Sequence, residues 1–294
     1  MNARTTIAEF LKGALRATAR AAALVVLALL PAAAQTTPAQ TAPPGTAAAP
    51  RAPVQTADGL DGILARTHES VQKFADDFSS LRYDEDVVEA KLKKDSDKAA
   101  YEEEILYDSM LRMQFEDGKL RVDEQRNIEK WPRHVESRPL LSTYGFCTLA
   151  MIFHPHYESS FRFTRSGDDV LQGRLLAKIQ FEHIPGTPTP VLYQMFGPDH
   201  PLEVSGAAWV DAATGEIYRI DAAITPATSD LGIKSIHATV EFKPTLLQDE
   251  TKPRVVPVLA TIDLETPHQH WRNVHRFSDY RKFRVAMSMP GATQ

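Results

Sequence analysis

Residues 105–123 read ILYDSMLRMQFEDGKLRVD, and their alternation of apolar and polar side chains is the clearest indication of fold in this chain. Alternation with a period of two predicts β-strands with one face buried, and Asp117-Gly118 is typical of a tight hairpin turn between them. The return strand alternates from Leu120. We therefore predict an antiparallel hairpin. The apolar residues of the first strand share one parity: Ile105, Tyr107, Leu111, Met113 and Phe115.

The C-terminal half repeats this pattern in short segments separated by turns. Consecutive alternating segments with short loops predict antiparallel pairing with one solvated face. The predicted strands are Phe161–Phe163, Leu175–Phe181, Ala207–Asp211, Ile217–Ile220, Ile236–Phe242, Val258–Glu265 and Asn273–Val285, with a polar turn around Gly167 and Gly173.

Two helices are predicted beside these strands. Apolar residues recur at spacings of three and four from Asp58 to Leu81, which indicates an amphipathic helix with Asp58 as N-cap. An apolar block from Leu140 to Phe153 ends before Pro155, as helices commonly do. Between them, Val87–Leu92 suits a strand, although the charged residues around it would also suit a helix. The predicted fold class is α+β: a large curved antiparallel sheet, like an unclosed barrel, with both helices packed on one face.

The N-terminus has the pattern of a secretory signal peptide. Four basic residues precede an apolar run from Ala21 to Leu30, and Ala32-Ala33-Ala34 offers a cleavage site. The run is too short to cross a bilayer. We predict a signal peptide over residues 1–34, a disordered Ala/Pro/Thr-rich linker over 35–57 and one domain over 58–294. The expected location is the periplasm or the extracellular space, with no integral membrane segment after cleavage.

Charge excludes one class of partner. The chain has a net charge of −5, and removal of residues 1–34 leaves −8. Binding to nucleic acid depends on clustered Lys and Arg, so we predict no nucleic-acid partner. The single cysteine, Cys147, lies in an apolar context without basic neighbours, which favours a buried side chain over a reactive thiol. Gln35 at the cleavage point excludes an acylated N-terminal cysteine.

Two family resemblances follow from particular segments. The segments Phe74–Phe78, Trp209–Ile217 and Phe277–Phe283 resemble a group of exported bacterial proteins of acidobacterial type. The order of elements resembles the outer-membrane lipoprotein carrier (LolA/LolB-like) superfamily, whose fold is an unclosed antiparallel barrel with helices over its concave face. That resemblance implies an apolar cavity for acyl chains. The alternative is that side chains fill the same space.

Several motifs for catalysis are absent from the sequence: G-x-S-x-G, H-E-x-x-H, the P-loop and G-x-G-x-x-G do not occur. We therefore predict no catalytic residues, no cofactor and no enzyme. The pairs His154/His156 and His268/His270, the latter with His275 nearby, are the clustered candidate metal ligands. Because His-x-His alone is a weak pattern, we assign no metal site.

Basic side chains concentrate near the C-terminus. They are Arg272, Arg276, Arg281, Lys282 and Arg284. Two interpretations are open: an edge strand that docks an acidic protein or a lipid headgroup, or an edge strand that positive charge protects from aggregation.

The leading functional prediction is an exported, non-enzymatic protein that holds a lipid or an acylated polypeptide in an apolar cavity. The alternatives are a structural or protein-interaction module with a filled core and, third, a metal-dependent enzyme built on His268, His270 and His275. The predicted cavity-lining residues are Leu111, Met113, Phe115, Trp209, Val240 and Phe242.

Overall fold

The structure, a computed structural model, describes residues 59–94, 96–116, 119–130, 143, 145–194, 199–225, 233–248 and 250–282. The predicted signal peptide, the predicted linker, the N-cap Asp58 and the turn at 117–118 lie outside these residues. Their assignments stay predictions. Within the described ranges, no helix combines the length and the apolar composition that a membrane crossing requires.

The described elements are one α-helix, two 3₁₀-helices (η1 and η2) and twelve strands. In chain order they are α1 (Leu60–Phe78), β1 (Leu81–Leu92), β2 (Ala99–Glu116), β3 (Lys119–Lys130), η1 (Phe146–Phe153), η2 (Pro155–Ser160), β4 (Phe161–Leu171), β5 (Arg174–His183), β6 (Leu192–Gln194), β7 (Asp199–Pro201), β8 (Glu203–Val210), β9 (Ile217–Thr225), β10 (Ser235–Thr245), β11 (Arg254–Glu265) and β12 (His270–Lys282).

Ten strands form one antiparallel sheet in the order β3-β2-β1-β12-β11-β10-β9-β8-β5-β4, and β6 pairs only with β7. Among the described strands, β3 and β4 are the two edges of the large sheet, so the sheet is not closed. The predicted fold class, α+β with a large unclosed antiparallel sheet and helices on one face, is confirmed. The segment Val87–Leu92, which suited a strand although its charged surroundings would also suit a helix, is a strand and forms part of β1.

One face of the sheet, called the inner face, carries the main hydrophobic core. α1 contributes Ile63, Val71 and Phe78 to this core, and η1 contributes a continuous buried run from Cys147 to Phe153. The alternating side chains of the strands complete it, as the predicted parity of β2 requires. The helices therefore fill much of the space above the inner face.

α1 begins at Leu60 and ends at Phe78, three residues before the predicted end. Ser79 terminates it, because its hydroxyl donates to the Ala75 carbonyl at 2.7 Å while its oxygen accepts the Met113 N–H of β2 at 2.9 Å. The same serine thus closes the helix and fastens it to the sheet.

The second predicted helix differs from the observed element. Residues 140–142 and 144 lie outside the described set, and the described part is the 3₁₀-helix η1, which begins after Gly145. The Thr148 N–H donates to the Gly145 carbonyl, an i to i+3 bond. His154 is extended and precedes Pro155, which explains the predicted end at Phe153.

The interpretation of the basic C-terminal strand as an edge is wrong. β12 lies in the middle of the sheet, paired with β1 on one side and β11 on the other. Two of its arginines pair with carboxylates of neighbouring strands: Arg281 with Asp84 at 2.8 Å and Arg272 with Asp263 at 2.8 Å. The positive charge therefore serves cross-strand pairing within the sheet.

Of the two glycines predicted in the turn between β4 and β5, only Gly173 lies in it. β4 continues through Gly167 by a register shift between Arg165 and Asp168, and the turn lies at Gln172 and Gly173. Both turn residues have positive φ, 52° and 78°, as a two-residue hairpin turn of this kind requires.

The turn between β8 and β9 lies close to the backbone of α1. The Asp211 carboxylate accepts the N–H groups of Ala213 and Thr214, and Gly215 follows with φ +74°. A Cβ at Gly215 would collide with the backbone of Arg66, whose side chain donates to the Ala212 carbonyl at 2.9 Å. The D-x-x-T-G turn thus forms a docking point for the helix.

Gly215→Ala should therefore destabilise the protein by at least about 2 kcal/mol, because it adds a clash with α1 to the cost of a left-handed alanine. Gly173→Ala is the matched control, because Gly173 also has a positive φ and a Cβ there would meet nothing within 4 Å. We expect the control to lose only about 1 kcal/mol. Urea unfolding measures both values, and equal losses would contradict the close approach of α1.

Candidate functional site

Four ionisable side chains meet on the inner face near the start of η1: Glu85 of β1, Glu124 and Arg126 of β3, and His275 of β12. We call them the buried charge cluster. Arg126 Nη2 donates to Glu85 Oε1 and to Glu124 Oε1, both at 2.8 Å. His275 Nδ1 lies 2.7 Å from Glu85 Oε1. Glu85 is fully buried, so these partners replace its water.

The strand order explains how β3 reaches β1 across β2. Ser109 of β2 lies opposite Arg126 on one side and Tyr83 on the other. Because its side chain is small, Arg126 extends past it to Glu85. The Ser109 hydroxyl also donates to Glu85 Oε2 at 2.9 Å. Glu85 therefore accepts hydrogen bonds from three different strands.

The two carboxylates respond differently to burial. For Glu85, burial raises the pKa, but the hydrogen bond to His275 and the charge of Arg126 outweigh it, so the pKa is lowered. For Glu124, burial dominates over the charge of Arg126, and the nearby charge of Glu85 adds to it, raising the pKa to about 7. When Glu124 is protonated, one negative charge balances Arg126.

The same cluster holds the backbone that enters η1. The Gly145 N–H donates to Glu124 Oε2 at 2.8 Å, and Arg126 Nη1 donates to the Thr143 carbonyl at 2.9 Å. Thr143 Oγ1 lies 2.7 Å from His275 Nε2 and accepts from Asn273 Nδ2 at 3.0 Å. With Nδ1 donating to Glu85, Nε2 of an uncharged ring accepts the Thr143 hydroxyl proton, whereas Nε2 of a charged ring donates to the Thr143 oxygen.

Thr143, His275 and Glu85 have the hydroxyl–imidazole–carboxylate order of acyl-transfer enzymes. Such a site also needs space for a carbonyl within about 3 Å of the hydroxyl and of oxyanion donors. The cavity beside the cluster has a volume of about 10 Å³, room for one water, and Thr143 does not line it. In the described residues, this arrangement supports packing and not acyl transfer.

Cys147 borders this small cavity and is buried, as its sequence context predicted. Burial, together with the negative charge of Glu124 and Glu85, raises the pKa of its thiol well above the usual range. The thiol therefore stays protonated at neutral pH and is a poor nucleophile.

A larger depression, called the groove, lies between α1 and the end of β2. Its volume is about 440 Å³. It is lined by Gln72, Ala75, Asp76, Met113, Gln114, Phe115, Glu116 and His154. Phe115 is 41% exposed, and Val122, which lies opposite Met113 on β3, is 39% exposed. Two large apolar side chains thus face solvent at this end of the sheet.

His154 completes the wall of the groove, and His156 lies beside Phe115. The rings of Phe115 and His154 stack at 4.6 Å, and the His156 ring lies 5.0 Å from Phe115. Burial lowers the pKa of His154, and so does the neighbouring His156. At neutral pH the His154 ring is therefore uncharged and adds to the apolar surface.

The structure brings together only part of the predicted cavity lining. Met113 and Phe115 line the groove, whereas Leu111, Val240 and Phe242 are buried in the main core. Trp209 lies on the opposite face of the sheet, where it packs with Leu176 and Tyr218 and donates to Asp169 at 3.1 Å.

The predicted histidine pairs do not converge on a metal. His270 Nε2 lies 2.9 Å from Asp263, and His275 is five residues further along β12, so the two side chains lie on opposite faces of the sheet. His154 Nδ1 accepts the His156 N–H instead of facing a shared ligand. In the described part of the chain, no three His, Cys, Asp or Glu side chains are placed to hold a metal ion.

Sequence reasoning missed the buried charge cluster. The signal that was available is parity: Glu85 occurs at the same parity as Leu81, Tyr83 and Val87, all of which are buried. A charged residue on the apolar face of a strand indicates a buried polar network, because an unpaired charge there would be too costly.

No protein-family model matches the chain, and no curated protein matches it. The resemblance to an acidobacterial group therefore stays a prediction.

Several solved structures are similar at low identity. A DUF1329 family protein from Desulfovibrio piger has 11% identity and a TM-score of 0.40, covering 76% of this chain and 95% of that one. A LolA superfamily protein from Nitrosomonas europaea has 13% identity and a TM-score of 0.34, covering 74% and 94%. A domain described as outer membrane lipoprotein-sorting, from Vibrio parahaemolyticus, has 10% identity and a TM-score of 0.34, covering 76% and 94%. At these values the similarities assign neither a ligand nor an activity to this chain.

Replacing the central carboxylate tests the cluster. Glu85→Gln should lower the free energy of unfolding by about 3 kcal/mol, because it leaves buried positive charge without its partner. Glu182→Gln is the control, since Glu182 lies 3.8 Å from Arg162 with both side chains largely exposed. We expect the control to change by less than about 0.5 kcal/mol in the same urea titration. A comparable effect in the two variants would show that Glu85 is not held as described.

The raised pKa of Glu124 predicts a pH dependence of stability. A carboxyl group whose folded pKa is about 7, against 4.5 for the ordinary value, binds more protons in the folded than in the unfolded state between these values. Its contribution to stability is therefore complete below the unfolded pKa and is lost as pH rises through about 7. The folded pKa of Glu85 is lowered, so its contribution to stability is lost only when the pH falls below the range between 4.5 and about 7.

Glu124→Gln should remove this loss, so the stability of the wild type relative to the variant should fall steadily from about pH 5 to pH 8. Guanidinium unfolding at a series of pH values measures the difference. A constant difference across the window would contradict the assignment.

Proposed function

We propose that this chain is an exported, non-enzymatic binding protein that takes an apolar ligand into the groove between α1 and β2. The observation that carries the proposal is the exposure of Phe115 and Val122 beside a depression of about 440 Å³. The volume lies in the range of about 300–1,000 Å³ that is typical of ligand sites. Ala75, Met113 and Phe115 supply its apolar wall, and the other five lining residues are polar.

Packing of the inner face limits how such a ligand binds. Large side chains of α1, η1 and the sheet, including Phe78, Met151 and Leu111, are fully or almost fully buried there. The ligand would therefore lie in the groove at the end of the sheet instead of inside the core. An acyl chain of a lipid or of an acylated polypeptide fits this description, because one end is apolar and the other remains in solvent.

The energy available at the groove is modest. Full burial of a Phe or Val side chain is worth about 1.5–3 kcal/mol, and less than half of Phe115 and of Val122 is exposed. Covering both would contribute about 2 kcal/mol, before the neighbouring Met113 and the His154 ring are counted. Because every 1.4 kcal/mol changes a dissociation constant about tenfold, covering these two side chains strengthens binding about thirtyfold, and the groove supports weak binding.

A second candidate function is a structural or protein-interaction module, which the packed inner face favours. It requires no ligand in the groove. The two proposals differ in one observable, which is whether a small apolar molecule binds to the folded protein.

The uncharged fluorophore N-phenylnaphthylamine provides the probe. We expect it to bind the wild type and Gln72→Trp to weaken binding at least about tenfold, because the indole fills the groove from an exposed position of α1. Lys73→Trp is the matched control, since Lys73 is also exposed on α1 but does not line the groove. Fluorescence titration measures both dissociation constants.

Equal binding by the two tryptophan variants would place the probe elsewhere and contradict the groove. Absence of binding to folded wild type would remove the proposal and leave the interaction module.

A further inference from the structure

We propose that the protonation of Glu124 controls the groove, because it fixes the position of η1, which extends from the buried charge cluster to the groove. This regulation rests on the proposed function for its consequence, although the movement of η1 can be tested without any ligand.

η1 is the physical connection between the two places. Its N-cap, Gly145, donates to Glu124 Oε2, and its C-cap, His154, lines the groove and stacks on Phe115. Its eight residues span roughly 16 Å at about 2.0 Å per residue. From Cys147 to Phe153 every residue is buried. A close-packed element of this kind transmits a displacement from one end to the other.

Hydrogen bonds to the cluster and to its neighbour Asn273 help to hold the described residues at the entrance to η1. Gly145 is held by Glu124, and Thr143 is held by Arg126, His275 and Asn273. The position of η1 on the sheet therefore depends on the charges of the side chains that bind Thr143 and Gly145. The small cavity of about 10 Å³ lies between the buried charge cluster and the first residues of η1.

Several ionisable groups face Glu124 or act on its surroundings. They are Glu85 and Tyr83 of β1, Arg126 of β3, His275 and Tyr280 of β12, and Cys147 of η1. Burial raises the pKa of Tyr83, Tyr280 and Cys147 well above the usual range, so these three stay protonated at neutral pH. Ionisation of Glu124 places a second carboxylate charge beside Glu85, with Arg126 shared between the two.

Linkage gives the direction of the effect. Any displacement of η1 that admits water to Glu124 removes the cause of its raised pKa, so the displaced state releases a proton. Rising pH therefore favours displacement of η1 and low pH favours its docked position. Displacement moves His154 from Phe115, which exposes more of the aromatic ring to a ligand. The groove should bind more tightly at high pH, and binding should release protons.

The first test follows the binding of N-phenylnaphthylamine between about pH 5.5 and pH 8. We expect at least about a fivefold gain in affinity with rising pH for the wild type and no gain for Glu124→Gln, whose amide cannot ionise. The groove has its own ionisable groups in Asp76, Glu116, His154 and His156. If they caused the pH dependence, it would persist in Glu124→Gln, and the proposal would be overturned.

The second test needs no ligand and therefore separates the two proposals. Amide hydrogen exchange of residues 146–153 is compared between wild type and Glu124→Gln at equal pH, so that the intrinsic exchange rates cancel. We expect equal exchange at about pH 5.5 and severalfold faster exchange in the wild type at about pH 8. Glu182→Gln should follow the wild type. Equal exchange of η1 in wild type and Glu124→Gln at both pH values would overturn the regulation even if the probe binds.

Discussion

The buried carboxylate of Glu85 is the interaction on which the arrangement of one half of the sheet depends. It accepts hydrogen bonds from β2, β3 and β12, which lie on both sides of β1. A shift of β1 by one residue would turn Glu85 to the outer face and leave Arg126 buried without this partner. The charge therefore specifies the register of four strands.

This constraint also joins distant parts of the chain. Glu85 and His275 are separated by 190 residues in sequence, and their contact accompanies the pairing of β1 with β12. That pairing places the last described strand in the middle of the sheet and moves the edge to β3. The position of a C-terminal strand at the centre is thus a consequence of which buried partners it supplies.

Local patterns predicted most of the elements, because alternation and helical spacing depend on neighbours in sequence. The parity of β2, the hairpin with β3 and the amphipathic face of α1 are examples. Strand order could not be predicted in the same way. The residues from Arg272 to Lys282 look like a protected edge in sequence, and only the location of Asp84 and Asp263 on neighbouring strands shows that their charge is paired within the sheet.

The site was predictable only in part, for two physical reasons. Parity identifies which side chains face inward but not how deep they lie, so Leu111 and Val240 share a face with Phe115 although only Phe115 reaches solvent. In the segment from Ala207 to Val210 all residues are apolar, so parity gives no answer and Trp209 falls on the opposite face. The buried charge cluster was missed because the partners of Glu85 lie on three other strands.

The inner face buries apolar side chains in one part and ionisable side chains in another, and η1 contacts both parts. Over β9 to β11 it packs against apolar side chains, whose contacts are insensitive to pH. At its start it is held by groups that bind protons. In the proposed regulation, the position of η1 depends on the charge of the groups that hold its first turn. Because the other end of η1 forms a wall of the groove, a core that is closed to ligands can still influence what binds at its edge.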